Sequence, residues 1–160
     1  MDIVQSLVTE WKNESANTRK MLERIPEDKL GWKATPKAMS IGGLATHISQ
    51  IPWWSTSVLK DTSYRFTNEK MTEFKSVKEI LDNFDKNAAL LAKGLSEMKL
   101  ADLDVLWTLY AGDHKIFESP RHAVIRGFLF SHIIHHRGYL GAYLKVAGVK
   151  VPGMYGPGDE

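Results

Sequence analysis

The chain has 160 residues, 43% hydrophobic and 25% charged, a mixture that suits one folded domain and excludes a disordered chain. Its 21 Lys and Arg against 19 Asp and Glu leave a formal charge of +2, and no basic stripe interleaves with aromatics, which excludes a nucleic-acid binder on electrostatic grounds. The lack of cysteine excludes disulfides, thiolate metal sites and cysteine nucleophiles, and it fits a cytoplasmic protein.

The first residues, Met1-Asp2-Ile3-Val4-Gln5, show no basic region followed by an apolar run, so no signal peptide is expected. No apolar stretch is long enough to span a bilayer. A first helix is expected from Asp2 to Ile25, with Val4, Leu7, Trp11, Thr18, Leu22 and Ile25 on one stripe, Asp2 as N-cap and Pro26 as terminator. A second is expected from Ser40 to Lys60, along Leu44, His47 or Ile48, Ile51, Trp54 and Val58, with Pro52 kinking or breaking it. Gly42-Gly43 inside it predicts close helix packing.

The third helix opens on the capping box Ser76-Val77-Lys78-Glu79 and follows the stripe Val77, Leu81, Phe84, Ala88, Leu91 and Leu95. Before the fourth, Val105–Tyr110 and His114–Phe117 around the turn Ala111-Gly112-Asp113 predict a small β-hairpin. The fourth helix is expected from Ser119-Pro120 to Ala147, along Ile125, Leu129, His132, His136, Leu140 and Tyr143. The whole reads as an all-α four-helix bundle over residues 1–150 with an irregular tail, rich in Gly and Pro, over 151–160. The long connections do not require a simple up-down-up-down order.

His132 and His136, four apart, share a helix face with Cβ atoms roughly 6 Å apart, a spacing from which two imidazoles reach one ion. The intervening Ile133-Ile134-His135 lacks the general-base glutamate of zincin helices, which excludes a metalloprotease. His47 lies on the apolar stripe of its own helix. Three imidazoles aimed into one core leave ring nitrogens without partners, at about 1–3 kcal/mol each, and a shared divalent metal removes that cost. The competing reading is three hydrogen-bonded core histidines, although no carboxylate falls beside them on these stripes. Ordinary imidazole titration places metal release at about pH 5–6.5.

The segments Ser40-Ile41-Gly42-Gly43-Leu44-Ala45-Thr46-His47-Ile48 and His132-Ile133-Ile134-His135-His136-Arg137-Gly138, with the linker Ile25–Pro36, resemble the DinB/YfiT-like superfamily over residues 1–147. That resemblance implies an up-down-down-up bundle, a three-histidine metal site at His47, His132 and His136, nickel or zinc as the ion, and a homodimer. It also implies thiol transfer with a low-molecular-weight thiol of the bacillithiol or mycothiol kind as one activity. Tyr139 stands where many relatives carry Gln.

The expected function is therefore a metal-dependent enzyme activating a thiol or water, a thiol transferase or a hydrolase. The alternative is a non-catalytic metal-binding or stress-response module. An open coordination position favours the enzyme; a site sealed by Trp54, Tyr139 or Tyr143 favours the module. His135 is expected beside the site and not in it, with His114 and His122 in surface roles and Asp113 as a turn residue. Arg137 is expected either to hold an anionic substrate or to pair with Asp82 or Asp85, and Trp53 and Trp54 to lie in core, pocket or interface. A second apolar face on the last helix, made by Phe128, Tyr139, Ala142 and Val146, independently predicts a homodimer.

Overall fold

The computed structural model describes residues 2–66 and 72–158. Helix α1, Ile3–Leu22, starts where the Asp2 carboxylate accepts from the Val4 and Gln5 N–H groups. Leu7, Trp11, Thr18 and Leu22 are buried along it, and Ile25 is buried just beyond its end. Helix α2, Ile41–Gln50, is capped by Ser40, whose hydroxyl accepts from Gly43 N–H at 2.8 Å. Pro52 then forces a tight 3-10 turn over Ile51–Trp54 before α3, Ser55–Lys60, so the expected second helix is two helices. The glycine pair serves a linker and not a helix: Gly42 N–H donates to the Leu30 carbonyl at 2.8 Å, and a Cβ there would lie 3.0 Å from that oxygen.

Helix α4, Val77–Ser96, carries the expected capping box, with both halves formed. Its buried face is turned from the expected stripe. Ile80, Phe84, Asn87, Leu91 and Leu95 are buried, while Val77, Leu81 and Ala88 are half-buried. The rotation has a polar cause. The turn at Pro52 leaves the Ser49 carbonyl facing α4, where the Asn83 and Asn87 amides donate to it at 3.1 and 3.0 Å.

The hairpin forms as expected: β2, Leu106–Ala111, pairs antiparallel with β3, His114–Pro120, across Gly112 at φ 58°. A further strand, β1, Ser63–Phe66, adds parallel to β2 and makes a mixed sheet of order β1-β2-β3. Because β3 runs through Pro120, the last helical stretch begins one residue later than expected. It consists of α5, Arg121–Val124, a π-helical segment Ile125–Ser131, and α6, His132–Val146. It ends at Gly148, φ 82°.

Residue pairs give the helix directions. On α1, Trp11 donates to the Ala88 carbonyl and Arg19 pairs with Asp85, so α4 runs against α1. Ser49 meets Asn83 and Asn87 while Leu59 meets Gly94, so α2 and α3 run with α4. Glu10 meets Arg126, Glu14 meets Arg137 and Met21 meets Gly141, so the last stretch runs with α1. The order is up-down-down-up, with α2 and α1 each packed on both α4 and α6. Residues 151–158 have no regular structure, yet Val151 and Pro152 are buried and Asn17 donates to the Met154 carbonyl at 3.0 Å. No helix among the described residues is long and apolar enough to cross a membrane.

Candidate metal centre

His47 comes from the last turn of α2 and His132 and His136 from the first two turns of α6, where those helices face each other. The ring centroids are 5.1 Å apart for His47 and His132, 4.5 Å for His47 and His136, and 4.7 Å for His132 and His136. One nitrogen of each ring lies within 4.8 Å of the other two, and His47 Nε2 is 3.2 Å from His132 Nε2. All three rings are half-buried, at the margin of the core and not inside it as the stripes imply.

Burial, and then the neighbouring His132, holds the His47 imidazole down at about 4. His136 is likewise lowered to about 4, by burial first and then by His47, His132 and His135. Burial also lowers His132, against a backbone hydrogen bond to Phe128 that favours the charged ring. The cluster is therefore three neutral imidazoles with lone pairs in one small volume. Nitrogens bound at about 2.1 Å to a common ion sit roughly 3.0 Å apart in an octahedral site and 3.4 Å apart in a tetrahedral one. The 3.2 Å pair falls between these spacings, and the all-imidazole donor set suits a divalent transition metal. No carboxylate joins the group among the described residues.

Trp54 braces the cluster. Its ring is buried, stacks on His132 at 5.5 Å and 19° and on Phe128 at 4.9 Å and 17°, and meets His47 edge-on at 5.9 Å. Phe128, expected on a free face, is instead packed against Trp54, Trp107 and Phe117. That face is thereby reduced to Ala142, Tyr139 at 51% exposure and Val146 at 74%. Tyr139 lies beside His135 and His136, and Tyr143 turns its ring to Trp32 at 5.7 Å.

The remaining histidines stay outside the group, as expected. His135 is exposed and edge-on to Tyr139 at 4.7 Å. His114 is exposed at the start of β3, and His122 Nδ1 is 3.1 Å from the Leu103 carbonyl. Asp113 is a turn residue that accepts from Arg65 at 3.2 Å. Arg137 corrects both expectations. It is 2% exposed, turned away from the imidazoles, and donates to the Glu14 carboxylate at 2.7 Å, Thr18 Oγ1 at 3.0 Å and Tyr155 Oη at 2.5 Å. Asp82 is held by Lys78, and Asp85 by Arg19. The sequence carried a signal for this pair: Glu14 sits between Trp11 and Thr18 on the apolar stripe of α1, where a carboxylate needs a cation. Spacing also points to Trp54 and Phe128, seven residues after His47 and four before His132; Phe66, which meets Trp54, carries no such sign.

Comparison with known proteins gives the family and the fold. The chain matches the DinB family over residues 1–160. It is 25% identical over 154 residues to the Bacillus subtilis (strain 168) protein described as "Uncharacterized protein YrdA", a match spanning 94% of this chain and 86% of that protein. A DinB-like protein from Bacillus cereus ATCC 10987 has a similar structure, with a TM-score of 0.74, 25% identity, and coverage of 94% of this chain and 97% of that one. The fold is shared too with the DinB-like protein YjoA of Bacillus subtilis, at a TM-score of 0.71 and 17% identity over 93% and 97% of the two chains.

Proposed function

The chain belongs to the DinB family, and on that premise we propose that it is a metal-dependent enzyme whose divalent ion is held by His47, His132 and His136. The observation that carries this reading is the convergence of three neutral, half-buried imidazoles from two helices with no carboxylate among them. Such a group leaves at least one coordination position to water or substrate, the pattern of a catalytic and not a closed structural site. An ion bound there supplies Lewis acidity, favouring the ionised form of a thiol or a water at the open position.

The chain's own residues do the rest. Trp54 fixes the plane of His132 by stacking, and the Phe128 backbone holds that ring through a hydrogen bond. The buried Trp54 ring and the half-buried Phe128 ring stacked on it cover the inner side, so reaction is confined to the side of His47 and His136. Thiol transfer with a low-molecular-weight thiol and hydrolysis both follow from this arrangement. Nickel and zinc both suit an all-imidazole donor set. Tyr139, Ala142 and Val146 are the face through which we place a homodimer, and a light-scattering mass near 18.1 kDa at micromolar concentration would count against it.

A non-catalytic metal-binding or stress-response module is the second reading. Its support is the Trp54 ring covering one face of His132. The test is a titration of bacillithiol, glutathione and a simple thiol into cobalt-substituted protein. A thiolate band supports thiol transfer; exchangeable water without a thiol band supports hydrolysis. If neither water nor thiol exchanges, the enzyme reading fails and the module stands.

A further inference from the structure

The helical stretch that carries His132 and His136 is not uniform. Ile125–Ser131 is π-helical, and His132 is the first residue after it. A π-turn pairs an N–H with the carbonyl five residues back, where an α-helix reaches four. Where the wide pairing returns to the ordinary one, a carbonyl is passed over by the backbone. The His132 N–H donates to the Leu129 carbonyl and not to that of Phe128, its partner in an unbroken α-helix. The Phe128 carbonyl accepts instead from the His132 ring. Packing holds the wide turn from two sides: Phe128 stacks on Trp54, and Phe130 stacks on Trp11 at 5.6 Å and 18°. At Gly127 a Cβ would meet nothing within 4 Å, so no crowding against a neighbour forces the turn open there.

This arrangement distinguishes the two ring nitrogens of His132. Nε2 is the atom 3.2 Å from His47 Nε2, so Nε2 faces the cluster. The nitrogen left for the Phe128 carbonyl is Nδ1. A carbonyl only accepts, so Nδ1 carries the proton and Nε2 keeps its lone pair. Stacking on Trp54 fixes the plane of the ring but tolerates a flip within that plane; the carbonyl does not. We propose that the π-helical segment Ile125–Ser131 is a positioning part of the metal centre: it withholds the backbone amide from the Phe128 carbonyl, leaves that carbonyl to Nδ1–H of His132, and so fixes Nε2 as the atom through which His132 binds metal. The proposal rests on the reading that the three imidazoles hold an ion. Among the described residues no backbone carbonyl is bonded to the His47 or His136 ring, so His132 is the ligand set in place in advance.

The first measurement needs no metal. Long-range proton–nitrogen NMR of the imidazoles in 15N-labelled, metal-free protein at neutral pH should show Nδ1–H on His132. It should show Nε2–H on His47, which must then be the donor of the 3.2 Å pair. The exposed His114 is the reference for a ring that nothing holds. Nε2–H on His132, or the same tautomer mixture as His114, overturns the proposal. The second measurement uses backbone esters, made by replacing one residue with its α-hydroxy acid. An ester in place of the Leu129 amide weakens the Phe128 carbonyl as an acceptor. An ester in place of the Phe130 amide weakens the Leu129 carbonyl, which accepts the His132 N–H. Each removes one N–H from the same segment, so both lower stability. Only the first should release the Nδ1–H preference of His132 and weaken cobalt binding, by about 10–100-fold. Equal cobalt affinities for the two ester chains overturn the proposal. A parent chain that binds no cobalt ends the metal reading, whereas Nε2–H on His132 in a chain that does bind cobalt ends this proposal alone.

Discussion

Replacing Arg137 with Met should unfold this protein more readily than any surface change. The guanidinium is 2% exposed and its Glu14 partner 7% exposed, so the substitution leaves a carboxylate in the core with only the Tyr155 hydroxyl, 2.8–2.9 Å away, to solvate it. Removing one partner of a buried pair costs about 3–5 kcal/mol. In a chain of this size each kcal/mol moves the midpoint by about 2–4 °C, so a drop of about 6–20 °C is expected. The double variant Glu14→Gln with Arg137→Met removes both charges and should recover much of that loss. Tyr155→Phe removes the hydroxyl shared by both ions and should cost about 1–3 kcal/mol and loosen residues 151–158. The assay is urea and thermal denaturation of the parent chain, Glu14→Gln, Arg137→Met and the double variant, read as a double-mutant cycle, with Tyr155→Phe measured beside them. A single-variant loss below about 1 kcal/mol, or strictly additive losses, would refute the reasoning.

Acidification should act later than free imidazole would. His47 and His136 are held at about 4, below the ordinary value of 6.5, so they stay neutral ligands until the pH nears that range. Metal should leave at lower pH than the about 5–6.5 of ordinary imidazole, as followed by dialysis and elemental analysis. In metal-free protein the unfolded chain binds more protons between 6.5 and 4, so stability is full above 6.5 and falls as pH drops through that window, as urea midpoints will show. Trp54→Leu should weaken metal binding about 10–100-fold by freeing the His132 ring, while Trp54→Phe rescues it, both read by competition with a chelator. Ser76→Ala should cost about 0.5–2 kcal/mol, with metal affinity unchanged, because it breaks the capping box of α4, a helix that carries none of the three histidines.

What the sequence made legible was local. The Asp2, Ser40 and Ser76 caps, the break at Pro52 and the Gly112 turn depend on residues within a few positions of one another, and each formed. The three clustered histidines were legible because helical spacing sets the face of His132 and His136 and puts His47 on a core-facing stripe. What escaped was nonlocal. Four residues of β1 make a strand only because β2 is there to pair with them in parallel. The rotation of α4 follows from Asn87 reaching a carbonyl released by a proline in another helix. Arg137 pairs with Glu14 on α1, and not with Asp82 or Asp85 on α4, because α1 packs against its side of α6 and no local spacing links the two residues.

The central claim is tested most directly by cobalt titration of chelator-stripped, tag-free protein, with His47→Ala, His132→Ala and His136→Ala beside it. The account predicts one ion per chain with a d–d spectrum of nitrogen ligands, and loss of that spectrum in each variant while helix content persists. Cobalt bound with unchanged affinity and spectrum in all three variants, or no binding to the parent chain, would contradict it.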